Sequence, residues 1–179
     1  MRWYEDRTRL LAEVERARAA GPSPLEAERW VRILCDYAVG SVWGRDGAPG
    51  RPEQLPMSLD LMVRLRRWGD LFEDNKARTR LGHRWTSEQD RAWSDEGLAI
   101  AIEMKRELPG WTVVYHDGWR AAPTDLPAAL RDGPPAGRPA EADPRAFFEY
   151  EVTDAVVRTG RRPTPGGDGL QRAPREGPG

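Results

Sequence analysis

The sequence predicts a small α/β domain of the α+β kind, a sheet of two or more strands packed by two or three helices, with a disordered C-terminal tail. Three observations carry this. Two segments, from Ser58 to about Asn75 and from Thr86 to Leu108, repeat apolar residues at helical spacing. Two short runs rich in β-branched and aromatic residues flank them, one from Val31 and one from Trp111 to His116. Beyond about Leu130 the composition shifts: Gly133 to Gly179 holds 8 Gly and 8 Pro in 47 residues, about one third, above the roughly 25–30% at which disorder becomes the default.

Taken in order, Met1 to about Ala20 predicts a helix, with Leu10, Leu11, Val14 and Ala17 on one face and Gly21-Pro22 ending it. Ser23-Pro24-Leu25-Glu26 is a capping box with Pro at the first helical position. Val31, Ile33, Cys35, Tyr37 and Val39 then alternate with other residues at period two, which reads as a strand; a helix continuing from Ser23 to Ala38 is the competing reading. Gly40, Gly44, Gly47, Pro49, Gly50 and Pro52 read as a long loop containing Val42 and Trp43. Ser58 is a good N-cap, with Asp60 in the first turn, Met57 and Met62 placed as a hydrophobic staple, and Leu61, Leu65, Trp68 and Phe72 along the stripe. The next helix has Glu88 and Asp90 in its first turn and Lys105 and Arg106 in its last, and Pro109-Gly110 stops it. Asp117-Gly118 reads as a turn. An apolar island, Arg145 to Arg158, interrupts the tail. It reads either as an element docking on the core or as a partner-binding segment. The expected organisation is a helical extension over 1–28, a core domain over 29–120, and a Pro/Gly-rich tail over 121–179 with an ordered island near 145–158.

Bulk properties narrow the function. The chain has 179 residues, 39% hydrophobic and 32% charged, with a formal net charge of −1. Balanced charge gives no general drive toward nucleic acid or anionic lipid. No run reaches the roughly 18 apolar residues of a membrane helix, and Met1–Ala20 lacks the apolar stretch of a secretory signal. Cys35 is the single cysteine, which excludes an intrachain disulfide and fits a reducing, cytoplasmic setting.

No phosphate loop, nucleophile elbow or metal-ligand spacing occurs, so no cofactor or metal is expected. Three weaker groupings remain. Asp36 in the first strand and His116-Asp117 at the end of the second would meet if those strands are neighbours, and a carboxylate beside a histidine can support general-base chemistry. Cys35, in a strand, reads as a small buried hydrophobe rather than a nucleophile. Arg64, Arg66, Arg67, Lys76, Arg78, Arg80, His83 and Arg84, with Trp68 and Trp85, form a mildly basic stretch that reads as a solvated face or as a nucleic-acid contact. The following helix is acidic, through Glu88, Asp90, Asp95, Glu96, Glu103 and Glu107, and an acidic face can steer a basic partner.

Val31-Arg-Ile-Leu-Cys-Asp-Tyr-Ala, Val42-Trp43, Leu55-Pro-Met-Ser-Leu-Asp-Leu-Met-Val-Arg-Leu-Arg-Arg-Trp68, Trp93-Ser-Asp-Glu-Gly-Leu-Ala and Glu107-Leu-Pro-Gly-Trp-Thr-Val-Val-Tyr115 together resemble small bacterial, frequently actinobacterial, α/β proteins. Some of that type are immunity proteins found beside polymorphic toxins. The resemblance spans about Val31 to Asp117, and its motifs are core-forming, so it implies a fold and carries over no functional residue. It also implies a start near Val31, against which the Ser23 capping box speaks. Eight tryptophans, the acidic helix and the lack of catalytic motifs point to a non-enzymatic protein-binding module. With the resemblance, the expected partner is a basic toxin, met by Trp43, Asp95, Glu96 and Glu103. The alternatives are a small enzyme using Asp36 and His116, and a nucleic-acid binder using Arg64 to Arg84.

Overall fold

Alternation in the first strand sets the architecture. In β1 (Trp30–Asp36), Val31, Ile33 and Cys35 face one side and are buried, while Arg32 and Leu34 face the other and are half-buried. The computed structural model describes residues 2–36, 40–82, 85–117 and 149–163. β1 pairs antiparallel with β2 (Gly40–Trp43) and parallel with β4 (Thr112–His116). β3 (Pro49–Gly50) extends the sheet beyond β2, and β5 (Glu149–Glu151) pairs antiparallel with β4, giving the order β3-β2-β1-β4-β5. Parallel neighbours need a crossover. Here it contains the β2–β3 hairpin, a 3-10 turn (Pro52–Gln54), α3 (Leu59–Arg80) and α4 (Ser87–Glu107).

Those two helices pack on the face carrying Val31, Ile33, Val42, Val113 and Tyr115. Their stripes supply Leu61, Met62, Leu65, Trp68, Ile100, Ala101 and Met104 to one core. Trp68 and Trp93 join them: the rings stack at 4.6 Å, each indole N–H donates to the other residue's carbonyl at 2.9 and 3.1 Å, and Tyr115 lies 6.4 Å from Trp68. Ser58 caps α3 by accepting from the Leu61 N–H and donates its own hydroxyl to Glu107 at the end of α4. α1 (Arg2–Ala19) adds Leu10 and Val14 to the core, and Arg7 pairs with Asp60 of α3.

Several expectations change. Val42 and Trp43 belong to a strand rather than a loop. The glycines around them serve a tight hairpin, where Gly47 takes φ +83° and a Cβ on Gly50 would sit 2.6 Å from Leu25. Only Pro24–Glu28 is helical (α2) after the Ser23 capping box, because Arg29 takes a left-handed φ of 48° and turns the chain into β1. β1 ends at Asp36, and residues 37–39, expected to continue it, lie outside the described residues. α3 runs to Arg80 rather than Asn75. Its buried stripe ends at Phe72, but nothing breaks the helix before Gly82 at φ +86°. Leu11, one position past Leu10, points outward and is 45% exposed. Asp117, expected to open a turn, is wholly buried, and Gly118 lies outside the described residues. The island docks on the core as β5 and α5 (Asp154–Thr159), through Tyr150, Val152 and Val156. Residues 145–148 of the island, and the expected tail over 121–148 and 164–179, lie outside the described residues.

Gly97 of α4 is the tightest point of this packing: a Cβ there would lie 2.6 Å from both Trp68 and the Tyr115 hydroxyl. Gly97→Ala is therefore expected to destabilise by about 1–3 kcal/mol, despite alanine's better helix propensity. A urea melt that finds it neutral or stabilising would refute this packing.

Candidate functional site

The acidic helix meets its counter-charges within the chain. Arg64 of α3 grips Glu96 with two hydrogen bonds, at 2.6 and 3.0 Å, and reaches Glu103 at 2.6 Å. The Glu96 hydrogen bond is the main reason the Arg64 pKa rises above its ordinary value. Asp95 pairs with Arg162, beyond α5, and lies 3.8 Å from Arg91. All three carboxylates expected to face a partner are thus in intrachain pairs. They stay 42–48% exposed, so each pair is worth about 0–1 kcal/mol and the helix still presents an acidic face to solvent. The basic stretch loses its leading members to the same economy: Arg64 holds two glutamates, and Arg66 holds Glu13 of α1 and Glu53 of the 3-10 turn. Arg67 and Arg78 are exposed on α3.

β1 and β4 are neighbours, as the Asp36–His116 pairing requires, with Ile33 opposite Tyr115. The backbone places Asp36 opposite Gly40, past a register shift. A carboxylate beside His116 comes from β5: Nδ1 lies 3.3 Å from Glu149 Oε1, and Arg32 Nε lies 3.4 Å from the same oxygen. Glu149 escaped the sequence reading because it reaches His116 only through the β4–β5 register; the period-two pattern Glu149-Tyr150-Glu151-Val152 was its one signal.

Asp117 sits at the centre of a buried polar network. It accepts from the Ser94 hydroxyl at 2.5 Å, from Arg162 Nε at 2.5 Å and from the Tyr150 hydroxyl at 3.4 Å. Arg162 Nη2 also reaches the Ser94 hydroxyl at 3.1 Å, and the Tyr115 hydroxyl donates to the Ser94 carbonyl at 2.8 Å. Burial opposes the Arg162 charge, but its bonds to Asp117 and Asp95 outweigh that and raise its pKa, while burial pushes the Tyr115 phenol well up. Held by a guanidinium and two hydroxyls, Asp117 is tied into the fold, and the network joins α4, β4 and the C-terminal segment. Cys35 lies on the helix-packed side of the sheet, 9% exposed. Trp43 lies on the opposite side, half-buried across from Arg32, with its indole N–H on the Leu34 carbonyl at 2.8 Å. Among the described residues no group of three or more His, Cys, Asp or Glu could hold a metal ion, and no helix is long and apolar enough to cross a membrane.

The chain is thus a mixed α/β domain in which Arg64, Arg66 and Arg162 tie one element to another. Residues 29–118, just over half of its 179, match the Serratia CdiI immunity protein-like family, and the chain belongs to that family. The match runs from the residue before β1 to just past β4, leaving α1, α2, β5 and α5 outside it. No curated protein and no solved structure gives a match.

Two outcomes follow from this wiring. Arg162→Met would strand the Asp117 charge in the interior and cost about 3–5 kcal/mol, part of which Asp117→Asn in the same chain should restore; chemical denaturation of the single and double variants checks this. The Glu13 carboxyl is held below its ordinary pKa of 4.5, chiefly by its hydrogen bond from Arg66. A depressed folded-state pKa gives stability that is present above the ordinary value and lost as pH falls through the folded one. Denaturation between pH 6 and pH 3 (roughly the span of carboxylate titration) should therefore show a steeper acid loss in the wild type than in Glu13→Gln.

Proposed function

We propose that this chain is an immunity protein, a non-enzymatic binding module that neutralises a protein toxin by occupying it. The observation that carries the reading is the family match over the whole β1–β4 unit. Two features of the molecule support it. Arg64, Arg66 and Arg162 are engaged in ties between elements, and the surface of α4 presents Asp95, Glu96 and Glu103 as an acidic face whose side chains are already ordered by Arg162 and Arg64. Carboxylates fixed in this way lose little entropy on meeting a basic surface. Trp43, on the sheet face away from the helices, is the aromatic anchor of a second contact. The lone buried Cys35 suits work in a reducing cytoplasm, where an incoming toxin would be met.

Co-expression with the product of the gene upstream of this chain's own, assayed for toxicity, tests the proposal. The expected result is rescue of growth and a complex that survives purification. Trp43→Ala should weaken that complex by about 2 kcal/mol, roughly thirtyfold. Continued killing with no complex would reject the immunity reading.

A further inference from the structure

A groove of about 520 Å³ opens on the side of α3 away from α4, between α1, the 3-10 turn and the β1–β2 strands. That size falls in the range of pockets that take a ligand or an inserted side chain. Its charges are unevenly matched. Each of its three arginines already faces a carboxylate: Arg66 holds Glu13 and Glu53, Arg9 lies 3.9 Å from Glu13, and Arg51 lies 4.0 Å from Glu53. Glu73, on the α3 wall one turn beyond Asp70, makes no ion pair or hydrogen bond among the described residues. Ser41 also lines the groove. It is only 5% exposed, and its hydroxyl has no hydrogen-bond partner among the described residues. The groove therefore offers the exposed Glu73 carboxylate at its wall, the Ser41 hydroxyl, and Phe72 as apolar lining.

We propose that this groove receives an arginine side chain, and that in the complex the arginine belongs to the toxin. The guanidinium suits the vacancy by its chemistry. It is a fork of donors that matches a carboxylate, it can give a further N–H to a hydroxyl, and its aliphatic stem lies well on an apolar wall. An anion fits poorly, because the arginines that would hold it are engaged. One wall, with Arg9 and Glu13 of α1, lies outside the residues that match the family, whereas Ser41, Phe72 and Glu73 lie within them. The identity of the arginine's owner rests on the immunity reading; the groove's preference for arginine does not.

Two measurements test this. In the first, N-acetyl-arginine amide is titrated into the purified full chain and followed through the backbone amides of Ser41, Phe72 and Glu73. Saturable shifts are expected, absent with the uncharged citrulline analogue and reduced at least fivefold in affinity in Glu73→Lys. Shifts that do not saturate, or that citrulline reproduces, would overturn the arginine site. In the second, Glu73→Lys is compared with Glu15→Lys, an exposed change on α1 away from the groove, for affinity toward the neighbouring toxin domain, with thermal melts of both. Glu73→Lys should weaken binding at least tenfold and Glu15→Lys less than twofold; equal effects would overturn the assignment of the groove to the toxin. If the arginine analogue binds but the wild-type chain captures no toxin, the immunity reading fails while the groove's chemistry stands.

Discussion

The stacked pair of Trp68 and Trp93 is the constraint on which the rest of the molecule is arranged. The two indoles lie 4.6 Å apart and nearly parallel, and each donates its N–H to the other's backbone carbonyl. A buried indole N–H needs an acceptor, and here each helix supplies one for the other. The register of α3 on α4 is fixed by that exchange. Gly97 leaves the space into which Trp68 and the Tyr115 hydroxyl close, so the same contact seats the helical hairpin on β4. Phe72 and Trp85 extend the aromatic column outward from Trp93, and Tyr150 extends it inward from Tyr115 to the sheet edge.

Charge is used on top of this apolar frame as a set of ties. Arg64 binds α3 to α4, Arg66 binds α3 to α1 and the 3-10 turn, and Arg162 binds the C-terminal segment to α4 and β4. Each arginine serves two carboxylates, which suits a side chain with five donors in a fixed fork. The ties differ in depth. Arg64 works at the surface, where solvent discounts each pair. Arg162 reaches a carboxylate with no solvent exposure, where losing the partner is far more damaging than the pair itself is stabilising.

This division bears on recognition. An acidic helix whose carboxylates are held by internal arginines is ordered in advance, and a preformed surface loses less entropy on binding. The groove beside α1 adds a concave feature; one wall, with Arg9 and Glu13, comes from a segment outside the family-matched residues, and the rest of its lining lies within them. A shared core with a private wall is one physical route by which members of a family can meet different partners.

Local rules were enough to read much of this chain. Capping chemistry marked Ser23, Ser58 and Thr86, and helical spacing marked α3 and α4, because caps and stripes act within one or two turns. Period two marked β1 and β4 for the same reason, and a resemblance confined to core residues pointed to the family that residues 29–118 match. Tertiary structure alone decided the rest. Glycine density concealed β2 and β3, since a tight hairpin and a loop use the same residues. Trp43, Asp95, Glu96 and Glu103 were identifiable by type, but that Arg64 and Arg162 hold the three carboxylates follows from distances spanning tens of residues. His116 meets Glu149 through a strand register that no local pattern encodes. Sequence fixes what each short segment prefers; which charge finds which partner is settled only when packing brings distant segments to within hydrogen-bond reach.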